Sequence, residues 1–273
     1  MTELRGKTAL LTGGTRGIGR AIALKLAAAG VHCALAAKTD TPHPQLPGTL
    51  DSVCDELRAA GTQAIGIKTD VREHEQIANA VATTVQHFGR LDIVIHNAGA
   101  IQLNTLENTP LRQYDLMQSV NERALFLLAQ YSLPHLKRAE HPHLLALSPP
   151  LNLNPAWLGK FIPYTLSKYG MSLLIAGLAE ELKDTPVACN SLWPRTYIAT
   201  AATERFAGSA IYPISRTPEI MADAVMALLH MPTPPRGQHL LDETLLRSQG
   251  ISDLEKYSWE KGNTPQLDFY IDA

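Results

Sequence analysis

Tyr164 and Lys168 lie four residues apart in the run Tyr164-Thr165-Leu166-Ser167-Lys168. On a helix that spacing makes them neighbours on one face. An ammonium beside a phenol favours its ionised form. An unperturbed tyrosine is about 0.1% phenolate at neutral pH, whereas a downward shift of ~2 to 3 units makes it a usable acid and base. The pair by itself also suits a lysine stem lying along an amphipathic helix. Its meaning therefore depends on what stands upstream.

Upstream, Thr12-Gly13-Gly14-Thr15-Arg16-Gly17-Ile18-Gly19 ends a short apolar run and opens a segment of helical periodicity. Glycines there permit a tight turn and a close backbone approach, and the helix start offers unpaired amides and partial positive charge to a phosphate. The spacing is Gly-x-x-x-Gly-x-Gly rather than Gly-x-Gly-x-x-Gly, and it lacks the Gly-Lys-Ser/Thr ending of a nucleoside triphosphate loop.

These residues need a scaffold, and the chain supplies an alternation of β-type and helical runs, the pattern of repeated βαβ units. Strands are expected at Thr8 to Leu11, His32 to Ala37, Gln63 to Thr69, Leu91 to His96, Pro142 to Ser148, Val187 to Trp193 and His239 to Leu241. Helices are expected near Gly17 to Ala29, Thr49 to Ala60, Glu73 to Phe88, Leu111 to Leu136, Tyr164 to Lys183 and Pro218 to His230. Gly30, Gly61 and Gly89 stand where helix-terminating glycines belong. The fold class read from this is α/β, a doubly wound parallel sheet (Rossmann-like) of about seven strands in a single domain, residues 1–247. Residues 248–273 read as an extension packing on that domain or on a subunit interface. Two stretches look irregular: the proline-rich Thr39 to Gly48, and Pro194 to Thr217, whose place after the sixth strand suits a ligand lid.

Composition excludes several classes. With 26 acidic against 24 basic side chains in 273 residues, nothing draws the chain to nucleic acid or to a membrane surface. No apolar run approaches the ~20 residues of a membrane span. Cys33, Cys54 and Cys189 are isolated, so neither a disulfide framework nor a zinc ribbon is indicated, and a cytoplasmic setting is expected.

The glycine turn Thr12 to Gly19 and the Tyr164/Lys168 pair together resemble the short-chain dehydrogenase/reductase family, whose patterns are Thr-Gly-x-x-x-Gly-x-Gly and Tyr-x-x-x-Lys. Further matches fall in order: Asp70-Val71 resembles the family's adenine-facing element, and Asn97-Ala98-Gly99 its Asn-Asn-Ala-Gly element with His96 in place of the first asparagine. Asn121 stands where the family keeps a proton-relaying asparagine. The resemblance spans about residues 5 to 242. It implies cofactor contacts from Gly13, Gly14, Thr15, Arg16, Gly17, Ile18, Gly19, Lys38, Asp70, Val71, Asn97, Ala98 and Gly99, as well as from Tyr164 and Lys168. It implies catalysis by Tyr164, Lys168, Ser148 and Asn121, with no metal. Ser148 lies sixteen residues before the tyrosine instead of the family's thirteen, where Leu151 stands, and Asn152 or Asn154 is an alternative carbonyl-orienting group. Pro194-Arg195 departs from the family's Pro-Gly; Arg195 either meets an anionic substrate group or faces solvent.

The end of the second strand is Ala37-Lys38 rather than an acid, and Arg16 lies within the turn, so the cofactor read here is NADP(H), with Asp40 nearby leaving NAD open. The runs Ala36 to Thr39, Ser148 to Pro155 and Tyr164 to Met171 resemble the hydroxysteroid dehydrogenase-like branch. Some members of that branch carry a sterol-carrier domain and a peroxisomal address, which are not read in a sequence ending Asp272-Ala273. The resemblance implies an oxidoreductase interconverting carbonyl and hydroxyl groups on a small, lipid-like molecule, assembled as a homodimer or homotetramer. Tyr197, Phe206, Ile211 and Tyr212 in the lid would line an apolar pocket or pack on the core. The competing readings are a dinucleotide-binding sensor or scaffold without turnover, and an apolar-ligand carrier.

Overall fold

The computed structural model describes residues 2–41 and 48–272, so the proline-rich stretch is seen only at its ends and its residues 42–47 lie outside the description. In chain order the elements are β1 (Thr8–Thr12), α1 (Gly17–Ala28), β2 (His32–Ala37), α2 (Leu50–Ala59), β3 (Ala64–Lys68), α3 (His74–Phe88), β4 (Ile93–His96), α4 (Leu111–Gln118), α5 (Ala124–Leu136), β5 (His143–Ala146), α6 (Pro155–Leu158), α7 (Ile162–Glu181), β6 (Ala188–Trp193), α8 (Ala201–Ala207), α9 (Glu219–Leu229), β7 (His239–Leu241) and α10 (Asp242–Ser248).

The seven strands form one sheet in the order β3-β2-β1-β4-β5-β6-β7. Every pairing is parallel. Strands β1, β4, β5 and β6 are buried at every residue, as a parallel sheet covered on both faces requires. One core layer joins Leu11, Leu35, Ile93 and Ile95 to helices α1, α2 and α9, and the other joins Leu10, Val94 and Leu144 to α3, α5 and α7. The order of strands reverses between β1 and β4. Sheets of this kind bind ligands at such a point, outside the carboxyl ends of the strands.

All seven expected strands are present, β2 and β7 with the expected ends and the others with ends shifted by at most two residues. The expected helix from Leu111 to Leu136 is continuous but carries a π-helical turn, Ser119–Arg123, with Asn121 in its middle. Short elements absent from the sequence reading are α6, α8, α10 and the 3₁₀ turns Ser209–Ile214 and Glu255–Tyr257. Helix α10 runs across the boundary drawn at residue 247. Among the described residues no helix is long and apolar enough to cross a membrane.

Candidate dinucleotide and proton-transfer site

The turn after β1 is tight because its glycines are packed, not merely flexible. Gly13 has φ +71°, and a Cβ there would lie 2.9 Å from Asn97 Nδ2. A Cβ on Gly19 would lie 2.3 Å from the Gly13 carbonyl oxygen and 2.5 Å from Asn97 Nδ2. Asn97 closes the turn from the end of β4, its Nδ2 donating to Gly13 O at 2.8 Å and Thr12 O at 3.2 Å. Helix α1 then starts with Arg16 as its N-cap, with no side-chain cap and no acid in its first turn. Helices α2 and α8, by contrast, are capped by Thr49 and Thr200. The amides of Gly17, Ile18 and Gly19 are left without a capping side chain, and with the helix dipole they suit a pyrophosphate. Thr15 is buried, and Gly17 faces the Thr200 methyl, which brings the segment after β6 over the turn.

At the ends of β2 and β3 the charged residues meet. Arg16 Nη2 donates to Thr39 Oγ1 at 3.0 Å. Lys38 Nζ lies 3.1 Å from Asp70 Oδ2, and Arg72 grips the same carboxylate. Arg72 foremost, with Lys38, holds the Asp70 carboxyl well below the usual carboxylate range. Asp40 is engaged by Lys68 at 2.8 Å, and Val71 is buried in the core.

A buried network that the sequence reading did not foresee ties these pieces to the helix opposite. Thr12 Oγ1 accepts from the amides of Asn97 (3.2 Å) and Ala98 (3.1 Å) and lies 3.0 Å from His96 Nδ1. His96 Nε2 faces two carbonyl oxygens, Val120 at 3.2 Å and Asn121 at 3.1 Å, so it must be the protonated nitrogen and Nδ1 the acceptor from Thr12. Burial pushes the imidazole down to about 4, which keeps it neutral. The two carbonyls belong to the π turn, where the regular helical ladder is interrupted. Asn121 is fully buried there. Its Oδ1 accepts from Ala100 N at 2.8 Å, and its Nδ2 donates to Ala100 O at 3.0 Å and Ser167 Oγ at 2.9 Å. Ser167 in turn donates to Tyr164 O at 2.8 Å.

Tyr164 and Lys168 are one turn apart on α7 and both buried, at 4% and 6% exposure. Lys168 Nζ donates to Leu147 O at 2.7 Å, just beyond β5, and stands 5.1 Å from the centre of the Trp193 ring at the end of β6. Burial lowers Lys168 to about 7, opposed by the charge of Asp268. The expected downward shift of the phenol is reversed: burial foremost, then Tyr270 and Asp268, pushes Tyr164 well above 10, so it stays protonated. Helical spacing alone does not register that desolvation.

The pair is enclosed by a cluster in which Tyr164, Tyr169 and Trp193 pack with Phe269, Tyr270 and Ile271 of the carboxy-terminal tail. Tyr197 and Phe206 join it through Phe269, at ring separations of 5.7 and 5.8 Å. Ile211 is buried, and Tyr212 stacks on Trp259 at 4.9 Å. Of the three carbonyl-orienting candidates, each is engaged within the protein. Ser148 is fully buried, 3.0 Å from Ser172 Oγ. Asn152 Nδ2 donates to Tyr270 O and Asp272, and Asn154 Oδ1 caps α6. Arg195 lines an open pocket of about 480 Å³ with Leu151, Leu241 and Tyr270. Asp268, Phe269 and Tyr270 were missed as site residues because their signal is only a few aromatics in a tail without periodicity.

A glycine turn at the strand-order reversal, opposite a buried tyrosine and lysine on the helix after β5, defines a nucleotide-binding α/β oxidoreductase fold. The family model described as short chain dehydrogenase matches residues 7–208. The chain belongs to the short-chain dehydrogenase/reductase family, and within it is similar to the hydroxysteroid dehydrogenase-like branch. It is 44% identical over 271 residues to a zebrafish (Danio rerio) protein named hydroxysteroid dehydrogenase-like protein 2, covering 99% of this chain and 65% of that relative's length. A solved structure from Xanthomonas campestris superposes with a TM-score of 0.96 at 46% identity, covering 100% of both chains. More distantly, a short chain dehydrogenase from Burkholderia cenocepacia in complex with NADP matches at 26% identity and a TM-score of 0.74, over 88% of this chain and 97% of that one. A likeness of fold alone, at 21% identity and a TM-score of 0.74 over 90% and 100% of the two chains, extends to one from Mycobacterium paratuberculosis bound to NAD. Members of the family bind a nicotinamide dinucleotide, and the glycine turn here fits its pyrophosphate.

Proposed function

We propose that this chain is an NADP(H)-dependent oxidoreductase that interconverts a carbonyl and a hydroxyl group on an apolar, lipid-like substrate. The observation that carries the reading is the burial of Tyr164 and Lys168 against one aromatic cluster at the carboxyl ends of β5 and β6. Lys38 at the end of β2 and Arg16, whose guanidinium reaches Thr39 beside it from the start of α1, favour a 2′-phosphate over the bare ribose. Gly13 to Gly19, Asn97, Ala98 and Gly99 would hold the pyrophosphate side, and Asp70 and Val71 the adenine side. When bound, the nicotinamide supplies the hydride transfer.

The protein's own part is proton handling and enclosure. Tyr164 stays neutral in this setting, which suits it to donate a proton to a substrate oxygen during reduction; oxidation returns the proton to it. Such assistance contributes ~10²- to 10⁴-fold in rate. Lys168, one turn along α7, supplies positive charge to the site when protonated, Asn121 holds the loop at Ala100 against α7, and the tail aromatics exclude water. Ser148, which accepts from Ser172 and keeps its own hydroxyl proton, is assigned to orienting the substrate carbonyl from the loop after β5. Exposed Phe126, Leu166 and Leu173 on α5 and α7 offer an apolar face for the homodimer or homotetramer.

Purified protein mixed with NADPH and a panel of apolar ketones and aldehydes tests the assignment. Turnover that disappears in Tyr164→Phe while NADPH still binds supports it. Tight NADPH binding with no turnover on any substrate favours a dinucleotide sensor instead.

A further inference from the structure

The tail fills space that a substrate needs. Tyr164 is 4% exposed and packs in one cluster with Phe269 and Tyr270, so a substrate carbonyl reaches the phenol only if part of this packing gives way. The two tail rings stand between α7 with its N-cap Phe161 on one side and the end of β6 with the segment after it on the other. Phe269 is 5.2 Å from Phe161 and 5.7 Å from Tyr197, and Tyr270 is 5.1 Å from Tyr169 and 6.3 Å from Trp193, centre to centre. Flat apolar rings thus already occupy the slot beside the proposed proton donor.

The tail changes its hold at Asp268. Up to that residue it is bound through the backbone: Gln266 N donates to Ile214 O at 2.9 Å, Tyr197 N to Gln266 O at 3.0 Å and Asp268 N to Arg195 O at 3.0 Å, and Thr196 bridges Leu267. Beyond it, among the described residues, no backbone–backbone hydrogen bond holds the chain. Side chains hold it instead. Asn152 Nδ2 donates to Tyr270 O at 3.1 Å and to Asp272 Oδ2 at 2.8 Å, and Trp157 Nε1 donates to Asp272 Oδ1 at 2.8 Å. Trp193 Nε1 donates to Phe269 O at 3.2 Å, and the Tyr270 hydroxyl lies 3.0 Å from Thr165 Oγ1. Tyr270 itself has φ +68°, a left-handed conformation that strains a bulky side chain. A segment fastened by side chains at an exposed end and strained in its middle opens more readily than the sheet and helix around it.

Building on the proton-transfer site proposed for Tyr164 and Lys168, we propose that residues 269–272 are an intramolecular occupant of the substrate slot. They lift about Asp268 to admit a flat, apolar carbonyl compound, and Asp272 is the latch that Trp157 and Asn152 hold shut. Strap and substrate compete for one space, so the apparent affinity for substrate scales with the fraction of molecules that stand open. Asp272 is exposed, so loosening the latch leaves the core untouched.

Exchange of the Trp193 indole proton measures the opening, because Trp193 is 7% exposed and its Nε1 gives that proton to Phe269 O. In protein labelled with [¹⁵N]tryptophan, Trp157→Phe and Trp259→Phe assign the three indole signals. Asp272→Ala removes both latch acceptors, and the expected result is roughly tenfold faster Trp193 indole exchange with the backbone amides of β6 exchanging as in the wild type. Trp157→Phe keeps a ring, loses one latch donor and should give a smaller acceleration. An indole rate unchanged in Asp272→Ala, or raised together with the β6 amides, overturns the proposal. With NADPH and acetylnaphthalene, the same opening should lower KM about tenfold in Asp272→Ala at constant kcat. A KM unchanged or raised there overturns the shared slot, and reduction of dodecanone without reduction of acetylnaphthalene overturns the flat ligand. Faster indole exchange in a protein that turns over no carbonyl leaves the strap standing while the enzymatic reading fails; unchanged exchange in an active enzyme removes the strap alone.

Discussion

Replacing Thr12 with valine removes one hydroxyl and almost nothing else, and the structure gives that hydroxyl three partners. The side chain is 2% exposed, and Oγ1 receives the amides of Asn97 and Ala98 and gives its proton to His96 Nδ1. Valine keeps the shape but leaves two buried N–H donors and one ring acceptor unmatched. Each stranded group costs ~1 to 3 kcal/mol, and partial relaxation of the loop brings the total to ~3 to 5 kcal/mol. At ~2 to 4 °C per kcal/mol for a chain of this size, the melting temperature falls by about 10 °C. Denaturant unfolding with matched m-values measures the loss directly, and a double-mutant cycle with His96→Asn should return a coupling of ~1 kcal/mol or more. A Thr12→Val protein within ~1 kcal/mol of wild type would refute the claim that this hydroxyl organises the end of β4.

Gly19→Ala places a methyl against Gly13 O and Asn97 Nδ2, and the forced shift of the turn should weaken NADPH binding roughly 10- to 100-fold, read by cofactor fluorescence; equal affinity would contradict the packed-turn geometry. His96 and His143 are both pushed down to about 4 by burial. Above pH ~6.5 both are neutral in the folded and unfolded chain, whereas below it only the unfolded chain takes up their protons. Stability is therefore fully present above that pH and declines as pH falls toward 4, with an uptake of up to two protons on unfolding, measurable from denaturation at stepped pH. On the NADP(H) reading, Arg16→Ala combined with Lys38→Ala should raise the NADPH dissociation constant about tenfold or more while leaving NADH nearly unchanged, by titration of each; a parallel loss for both would place the 2′-phosphate elsewhere.

The scaffold was legible because parallel strands buried on both faces read as continuous apolar runs, and because Gly30, Gly61 and Gly89 mark where helices end. The glycine turn was legible because its spacing is dictated by contacts as close as that between Gly19 and Gly13 O. The π turn around Asn121 was not, since it depends on His96 reaching across from β4 to hold two carbonyls, a contact 24 and 25 residues apart in sequence. Nor was the tail's place at the site. The Asp268 backbone amide donates to Arg195 O, and such long-range docking leaves no periodic trace. The ionisation of Tyr164 was read with the wrong sign because i,i+4 spacing reports a neighbouring charge and says nothing about the desolvation that outweighs it.

The central claim is that the phenol of Tyr164, the amine of Lys168 and the cofactor's reactive ring share one enclosed space. Protein labelled with [ζ-¹³C]tyrosine and [ε-¹³C]lysine, with Tyr164→Phe and Lys168→Met as assignments, reports on it directly when NADPH is added. The account predicts that both signals shift in step with saturation of the glycine turn. Saturated binding that moves the amides of Gly13 to Gly19 and leaves Tyr164 and Lys168 untouched would contradict it.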